Sequence, residues 1–286
     1  MGMPEYVTPR TAAGREGLAA LLAAPAEGAV GLDFDGTLAP IVADPEQARA
    51  HPGVVPALAA LAPLVGSVVV VTGRPAALAV EYGGFAGVPG LEHLTVLGHY
   101  GAERWDARTG RITAPEPPAG VVTARAELPA VLAGAGAPAG TWTEDKGRAL
   151  AVHTRRTDRP QEALDLLRGP LGELAAAHGL MVEPGRMVLE LRPPGVDKGA
   201  ALTAFLTERA LRTVLYAGDD LGDLPAYEVV ERRRAEGMAG LLVCSAPDGS
   251  EAPVRALADR ADLVVPGPAG VVELLTALAA GLSRGR

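Results

Sequence analysis

The sequence predicts an α/β protein: a doubly wound, mostly parallel sheet with an inserted α+β domain. Three observations carry this prediction. Short apolar runs alternate with helical stretches near both ends of the chain, the rhythm of βαβ units. The middle changes to hairpin-like strands around two helices. The length of 286 residues exceeds one plain domain and is short for three. Hydrophobic residues make up 48% of the chain but aromatic ones only 3%, so Val, Leu and Ala must fill the core.

The first element is an Ala/Leu-rich helix over residues 11–24, whose role the sequence does not reveal. Residues 29–33 form a strand that runs apolar into Asp33. A helix follows over 53–64, with Pro52 just before its start. Residues 67–71, SVVVV, suit a strand buried on both faces. A helix over 75–82 and a strand over 94–98 complete the first half. The second half has strands at 214–217, 241–245 and 263–265, and helices near 199–211, 222–235, 251–258 and 269–282.

Between the halves, 103–112 reads as a hairpin around Asp106-Ala-Arg-Thr-Gly110. Residues 121–133 and 160–178 read as helices, and 142–146, 149–155, 180–183 and 187–192 as strands. Pro184-Gly185 marks a tight turn between the last two strands. The expected division is therefore a catalytic core of 1–104 plus 193–286, and an insert of 105–192.

The net charge is −8 and no basic run occurs, which argues against nucleic acid or an anionic membrane as partner. A single cysteine, Cys244, rules out an internal disulfide and fits a reducing compartment. It sits in the apolar run GLLVCS, so a buried thiol is expected rather than a nucleophile. No charged-then-apolar leader is read, and no run approaches the ~18 apolar residues of a membrane span. A soluble, cytoplasmic monomer acting on a small molecule is expected.

The chemistry concentrates at strand ends. In GLDFDGTLAP, residues 31–40, Asp33 and Asp35 close the first strand. In an open α/β sheet, ligands bind beyond the carboxyl ends of the strands. Residues i and i+2 of extended chain point to the same side. Two converging carboxylates repel unless a cation joins them. Mg²⁺ suits the arrangement, because it takes few carboxylates, keeps waters and accepts a substrate phosphate. The second strand runs into Thr72-Gly73-Arg74, a hydroxyl and backbone N–H groups at a helix entrance, where an anion is favoured. The strand at 214–217 runs into Gly218-Asp219-Asp220-Leu-Gly-Asp223, a second acid cluster. Lys198, at a helix start, can neutralise a phosphate and a carboxylate together.

These four signals, DFDGT, TGR, Lys198 and GDDxxD, resemble the ordered motifs of the haloacid dehalogenase superfamily of phosphotransferases. The insert resembles that superfamily's large C2-type cap, and the likeness covers roughly residues 29–275. The resemblance implies roles. Asp33 would attack phosphorus and form an aspartyl-phosphate. Asp35 would protonate the leaving alcohol and then deprotonate water. The Asp33 side chain, the Asp35 carbonyl and Asp219 would hold Mg²⁺, with Asp220 and Asp223 supporting. Thr72, Gly73, Arg74 and Lys198 would bind the phosphate.

Within the insert, Glu144 and Lys146 share one strand face, and Glu190 and Arg192 share another. Such groups suit a polyhydroxyl ligand and equally suit exposed ion pairs. EDKxxALAVHxR and GRxVLELRP are similar to segments of the trehalose-6-phosphate phosphatases, as is GHYGAE at 98–103. By that resemblance Glu144, Lys146, Arg155 and Glu190 would contact the sugar. His99-Tyr100 and Gly222-Asp223-Leu224 depart from the family's pattern at positions that can shift the sugar preference.

The implied activity is Mg²⁺-dependent hydrolysis of trehalose 6-phosphate to trehalose and phosphate. Alternatives are another sugar phosphate (sucrose 6-phosphate or mannosyl-3-phosphoglycerate), a phosphomutase, or a silent sugar-phosphate-binding domain. The last would be expected to lose Asp33, Asp35 or the GDD acids, and all are present. A closing step of the cap is also implied, with hinges near 101–104 and 192–195.

Overall fold

The computed structural model describes residues 8–42, 44–185, 187–246 and 252–284. Residue 251 of the helix expected near 251–258, and Arg186 of the GRxVLELRP segment, lie outside them. The chain divides into two compact units, Met1–Thr113 with Asp197–Arg286, and Ala114–Val196.

In the first unit the order before the insert is α1 (Ala12–Ala23), β1 (Gly28–Leu32), α2 (Val54–Leu61), β2 (Ser67–Val71), α3 (Ala76–Gly83), β3 (Leu94–Gly98), β4 (Glu103–Asp106) and β5 (Arg111–Thr113). The insert holds α4 (Ala119–Gly134), β6 (Trp142–Asp145), β7 (Leu150–His153), α5 (Pro160–Ala177), β8 (Met181–Gly185) and β9 (Val188–Arg192). The first unit then resumes with α6 (Lys198–Glu208), β10 (Thr213–Gly218), α7 (Leu224–Ala235), β11 (Gly240–Ser245), α8 (Ala252–Arg260), β12 (Leu263–Val265) and α9 (Gly267–Arg284).

The large sheet has the order β12-β11-β10-β1-β2-β3-β4-β5. All pairings from β12 to β3 are parallel, and β4 and β5 add on antiparallel. Strand alternation feeds two separate cores. Val30, Leu32, Val68, Val70, Leu215 and Ala217 pack toward α1, α2, α3 and α9. Ala29, Val69, Val71, Val214 and Tyr216 pack toward α6, α7 and α8. This is the doubly wound sheet expected. It also gives α1 its role: Leu18 and Leu21 complete the first of these cores. Cys244 is buried, and burial first, with Asp219 and Asp223 nearby, pushes its thiol up to about 12, as a packing residue requires.

The second unit is a four-stranded antiparallel sheet, β6-β7-β9-β8, with α4 and α5 packed on one face. Leu150, Val152, Leu189 and Leu191 supply that face. No helix of the described residues is long and apolar enough to cross a membrane.

Three local readings are corrected. Residues 105–113, read as the start of the insert, instead extend the large sheet, because β4 pairs with β3 and β5 with β4. Residues 103–104, read as part of a hinge, therefore lie inside a paired strand. Pro184 and Gly185 belong to β8, and the turn comes after them, where Met187 takes φ +58°. The proline is tolerated because β8 is an edge strand.

Candidate active site

β1, β2 and β10 are neighbours, and their carboxyl ends bring the acidic turns and the TGR segment to one edge of the sheet. The Asp33 N–H donates to Ala217 O at 2.9 Å, which carries the pairing with β10 one residue past β1. The chain then turns at Gly36, whose φ is +78°. A Cβ there would lie 2.0 Å from an Asp219 carboxylate oxygen, so only glycine lets the two acidic turns close on each other. The Gly36 carbonyl accepts from Ser245 Oγ at 2.7 Å, tying this turn to β11.

Past β10, Asp220 and Asp223 cap the short helical turn Leu221–Asp223 reciprocally. Lys198 opens α6, where the Asp197 side chain accepts from the Ala200 N–H at 2.8 Å. The buried Lys198 Nζ lies 2.8 Å from Asp33 Oδ1 and 2.8 Å from Asp223 Oδ1. Asp223 Oδ1 also accepts from the Tyr216 hydroxyl at 2.7 Å. Its Oδ2 accepts from the N–H groups of Asp219 at 3.1 Å and Asp220 at 3.4 Å.

The electrostatics follow from burial. Loss of solvent pushes the Asp33 carboxyl well above the usual carboxylate range, against the pull of Lys198. Burial first, and then Asp33 and Asp223, push Asp219 up to about 10. Asp220 is raised by burial too, opposed by Lys198. Burial opposes the charge on Lys198, but Asp223 and Asp33 together hold its ammonium well above the ordinary range. One oxygen each from Asp33, Asp219 and Asp223 lies within 4.8 Å of the others. Three buried carboxyl groups against one ammonium leave excess negative charge, which either protons, as the raised values show, or a further cation would offset. An all-oxygen donor set of this kind could hold a divalent metal.

Thr72 follows β2 and is buried; its Oγ1 accepts from the Arg74 N–H at 3.1 Å. A Cβ at Gly73 would lie 2.7 Å from the Tyr100 hydroxyl. Tyr100 is held there by an unusual backbone: His99, Tyr100 and Gly101 take φ values of +46°, +56° and +91° in succession. Their N–H groups tie this turn to the TGR segment, His99 to Arg74 O and Tyr100 to Thr72 O, both at 2.9 Å. Non-glycine residues in this region store strain of order 1–3 kcal/mol each, a feature that clusters at functional sites. Tyr100 registers in the sequence only as a departure from a pattern; its place over Gly73 does not. Arg74, expected on the phosphate, turns its Nε and Nη2 to the two oxygens of Asp35, at 2.7 and 2.6 Å.

In the insert, Glu144, Ala151, Glu190 and Glu183 stand in register across the sheet. They occupy the face opposite the leucines of β7 and β9. Lys146 lies one residue past β6, and its Nζ donates to Glu190 Oε2 at 2.5 Å. Glu190 Oε1 is buried and has no hydrogen-bond partner among the described residues. Glu144 pairs with His153 at 2.9 Å. His153 stacks on Trp142, with ring centres 4.4 Å apart, and the Arg156 guanidinium lies 4.4 Å from the Trp142 ring centre. Arg155 sits in an exposed turn after β7, off the strand that carries the others. Trp142 and His153 were missed as site candidates. Trp142 is two residues before Glu144, so the strand period could have flagged it.

A family model described as trehalose-phosphatase matches residues 31–261. The chain is 34% identical over 205 residues to a probable trehalose-phosphate phosphatase of Sinorhizobium fredii, covering 70% of this chain and 73% of the relative. It is 31% identical over 209 residues to the trehalose-6-phosphate phosphatase of Escherichia coli, covering 70% and 72%. Against mycobacterial relatives it spans between 15% and 63% of their length. A solved trehalose-6-phosphate phosphatase of Aspergillus fumigatus superposes with a TM-score of 0.66 at 23% identity, covering 96% of this chain and 99% of that one. At that identity the superposition speaks for the fold.

Proposed function

The chain belongs to the trehalose-phosphatase family, and from that premise we propose that it hydrolyses trehalose 6-phosphate to trehalose and inorganic phosphate. The observation that carries the chemistry is the buried Lys198, bridging Asp33 and the second acid cluster at 2.8 Å on each side. It holds a carboxylate in place to attack and supplies positive charge where phosphoryl oxygens gather.

Asp33 attacks phosphorus, forming a P–O bond as the bond to the sugar oxygen breaks. Asp35 gives its proton to the leaving oxygen. Asp35 then takes a proton from water, whose oxygen attacks the same phosphorus and frees Asp33 and phosphate. Thr72, the Gly73 N–H and Lys198 bind the phosphoryl oxygens. Asp33, Asp219 and the Asp35 carbonyl would hold the proposed Mg²⁺, which would supply positive charge to the phosphoryl group. Asp223 shares the cluster, but both its oxygens already accept hydrogen bonds, so it fixes Lys198 and the acidic turn. Asp220 shapes the same turn.

Glu144, Lys146, Arg155 and Glu190 are proposed to bind the sugar. The unpartnered Glu190 Oε1 supports this, since a buried acceptor without a donor fits a ligand hydroxyl. The single cysteine, which allows no internal disulfide, supports a reducing, cytoplasmic setting for the enzyme; it is proposed to act as a monomer.

The test is phosphate release by purified protein with Mg²⁺ across trehalose 6-phosphate, sucrose 6-phosphate, glucose 6-phosphate and mannosyl-3-phosphoglycerate. Trehalose 6-phosphate is expected to lead by roughly tenfold or more in kcat/KM, with activity lost in EDTA. A lead by another ester would move the substrate and keep the chemistry. Dependence on a sugar bisphosphate would point to a mutase, and release from none to a binding domain.

A further inference from the structure

Arg74 closes on Asp35 with the geometry of a two-toothed clamp. Nε donates to Oδ2 at 2.7 Å and Nη2 to Oδ1 at 2.6 Å. Paired contacts of this kind fix the plane of a carboxylate as well as its position. The guanidinium is itself anchored: Nη1 donates to the Pro45 carbonyl at 3.0 Å. Its carbon lies 5.7 Å from the centre of the Phe34 ring and 5.4 Å from that of Tyr82, within cation–π reach. Arg49 approaches the same Tyr82 ring at 4.2 Å. The Arg74 side chain is 15% exposed and that of Asp35 33%, so the clamp is built in while the acid still opens to solvent.

We propose that Arg74 is the positioning residue for Asp35, setting the carboxylate's orientation for proton transfer, and not a ligand of the transferred phosphate. This rests on the phosphatase reading given above. The fork that would grip a phosphate is turned onto Asp35 instead. Each carboxylate oxygen has a second lone pair. Asp35 can therefore stay clamped while its free lone pair accepts the proton of the attacking water. To protonate the leaving oxygen, one carboxylate oxygen must carry the proton on that second lone pair, so both N–H bonds of the clamp persist, the one to the protonated oxygen weakened. The proton passes to the sugar oxygen as its bond to phosphorus breaks, and the one taken from water restores the balance.

The two roles separate by leaving group. A sugar alcohol needs a proton to leave; p-nitrophenolate does not. A phosphate ligand serves both esters alike. The experiment measures kcat/KM of wild type, Arg74→Ala and Arg74→Lys on trehalose 6-phosphate and p-nitrophenyl phosphate, with circular dichroism as the check of folding. Arg74→Ala is expected to lose roughly 10- to 100-fold on the sugar ester and less than about threefold on the aryl ester, since general acid–base help is worth about 10²–10⁴-fold. Arg74→Lys, with a single nitrogen and no planar fork, is expected to fall between. In an Asp35→Asn background, Arg74→Ala is expected to cost little more, because the two act as one unit.

Equal losses on both esters, or a full additional loss in the Asp35→Asn background, would overturn the proposal and return Arg74 to the phosphate. If wild type hydrolyses neither ester, the phosphatase reading fails first and takes the proposal with it. If wild type is active and Arg74→Ala leaves both rates unchanged, the proposal alone fails.

Discussion

Gly36 stands where the turn after β1 meets the turn after β10, with φ of +78° and no room for a Cβ beside Asp219. Gly36→Ala would meet both a backbone penalty of order 1–3 kcal/mol and a collision with a carboxylate proposed to bind metal. The Asp219 side chain must move, and metal affinity should fall before the fold does. The expected outcome is an increase of about tenfold or more in the Mg²⁺ concentration for half-maximal phosphate release, with the sheet intact by circular dichroism. An unchanged Mg²⁺ requirement would show that the close approach at Gly36 is packing alone. At the same scale, Asp33, Asp35 and the acids of GDDxxD were legible because strand ends are where a doubly wound sheet binds ligands. The partner of Arg74 was not legible. A contact across 39 residues depends on how two turns fold toward each other, and neither turn's local sequence encodes it.

The strands of the insert carry their meaning in register. Glu144, Ala151, Glu190 and Glu183 face the same way because the period of a strand is two residues. A Glu190→Gln variant keeps the shape and removes the charge that meets Lys146. Its expected effect is a loss of about 10- to 100-fold in kcat/KM on trehalose 6-phosphate, the scale of a buried charged hydrogen bond, with p-nitrophenyl phosphate turnover within about threefold. Equal losses on both esters would remove Glu190 from sugar recognition.

Element existence was legible throughout the large sheet. Runs such as Ser67–Val71 and Leu94–Gly98 are rich in Val and Leu, buried on both faces and bounded by turn residues. What misled was allegiance at the edges. Residues 103–112 read as a hairpin from their own pattern, but nothing local says that β3 is the strand they join. Pro184-Gly185 has the composition of a turn, yet the unpaired side of an edge strand accepts it. Lys146 was expected on the face of Glu144 within a strand, but β6 ends one residue before it, and it reaches Glu190 from the following turn.

Across the whole chain, the proposed active site is assembled from segments that flank an inserted unit. Asp33, Asp35 and Thr72 come before Ala114, and Lys198, Asp219 and Asp223 follow Val196. Lys198 is the second residue of the returning chain, so α6 must start on register at once; the Asp197 cap supplies that start. Each unit has its own buried core, Leu167 and Leu171 in the insert and Leu58 and Leu274 in the larger unit. The catalytic claim therefore rests on the larger unit's own residues, and on one of them above all. Mixing the enzyme with excess trehalose 6-phosphate and Mg²⁺, quenching in acid within the first turnovers and mapping peptides by mass spectrometry tests it most directly. The expected result is a phosphoryl group on the peptide carrying Asp33, absent from Asp33→Asn together with phosphate release. Phosphate released at an undiminished rate by Asp33→Asn, or a phosphoryl group found on another residue, would contradict the assignment of Asp33 as the nucleophile.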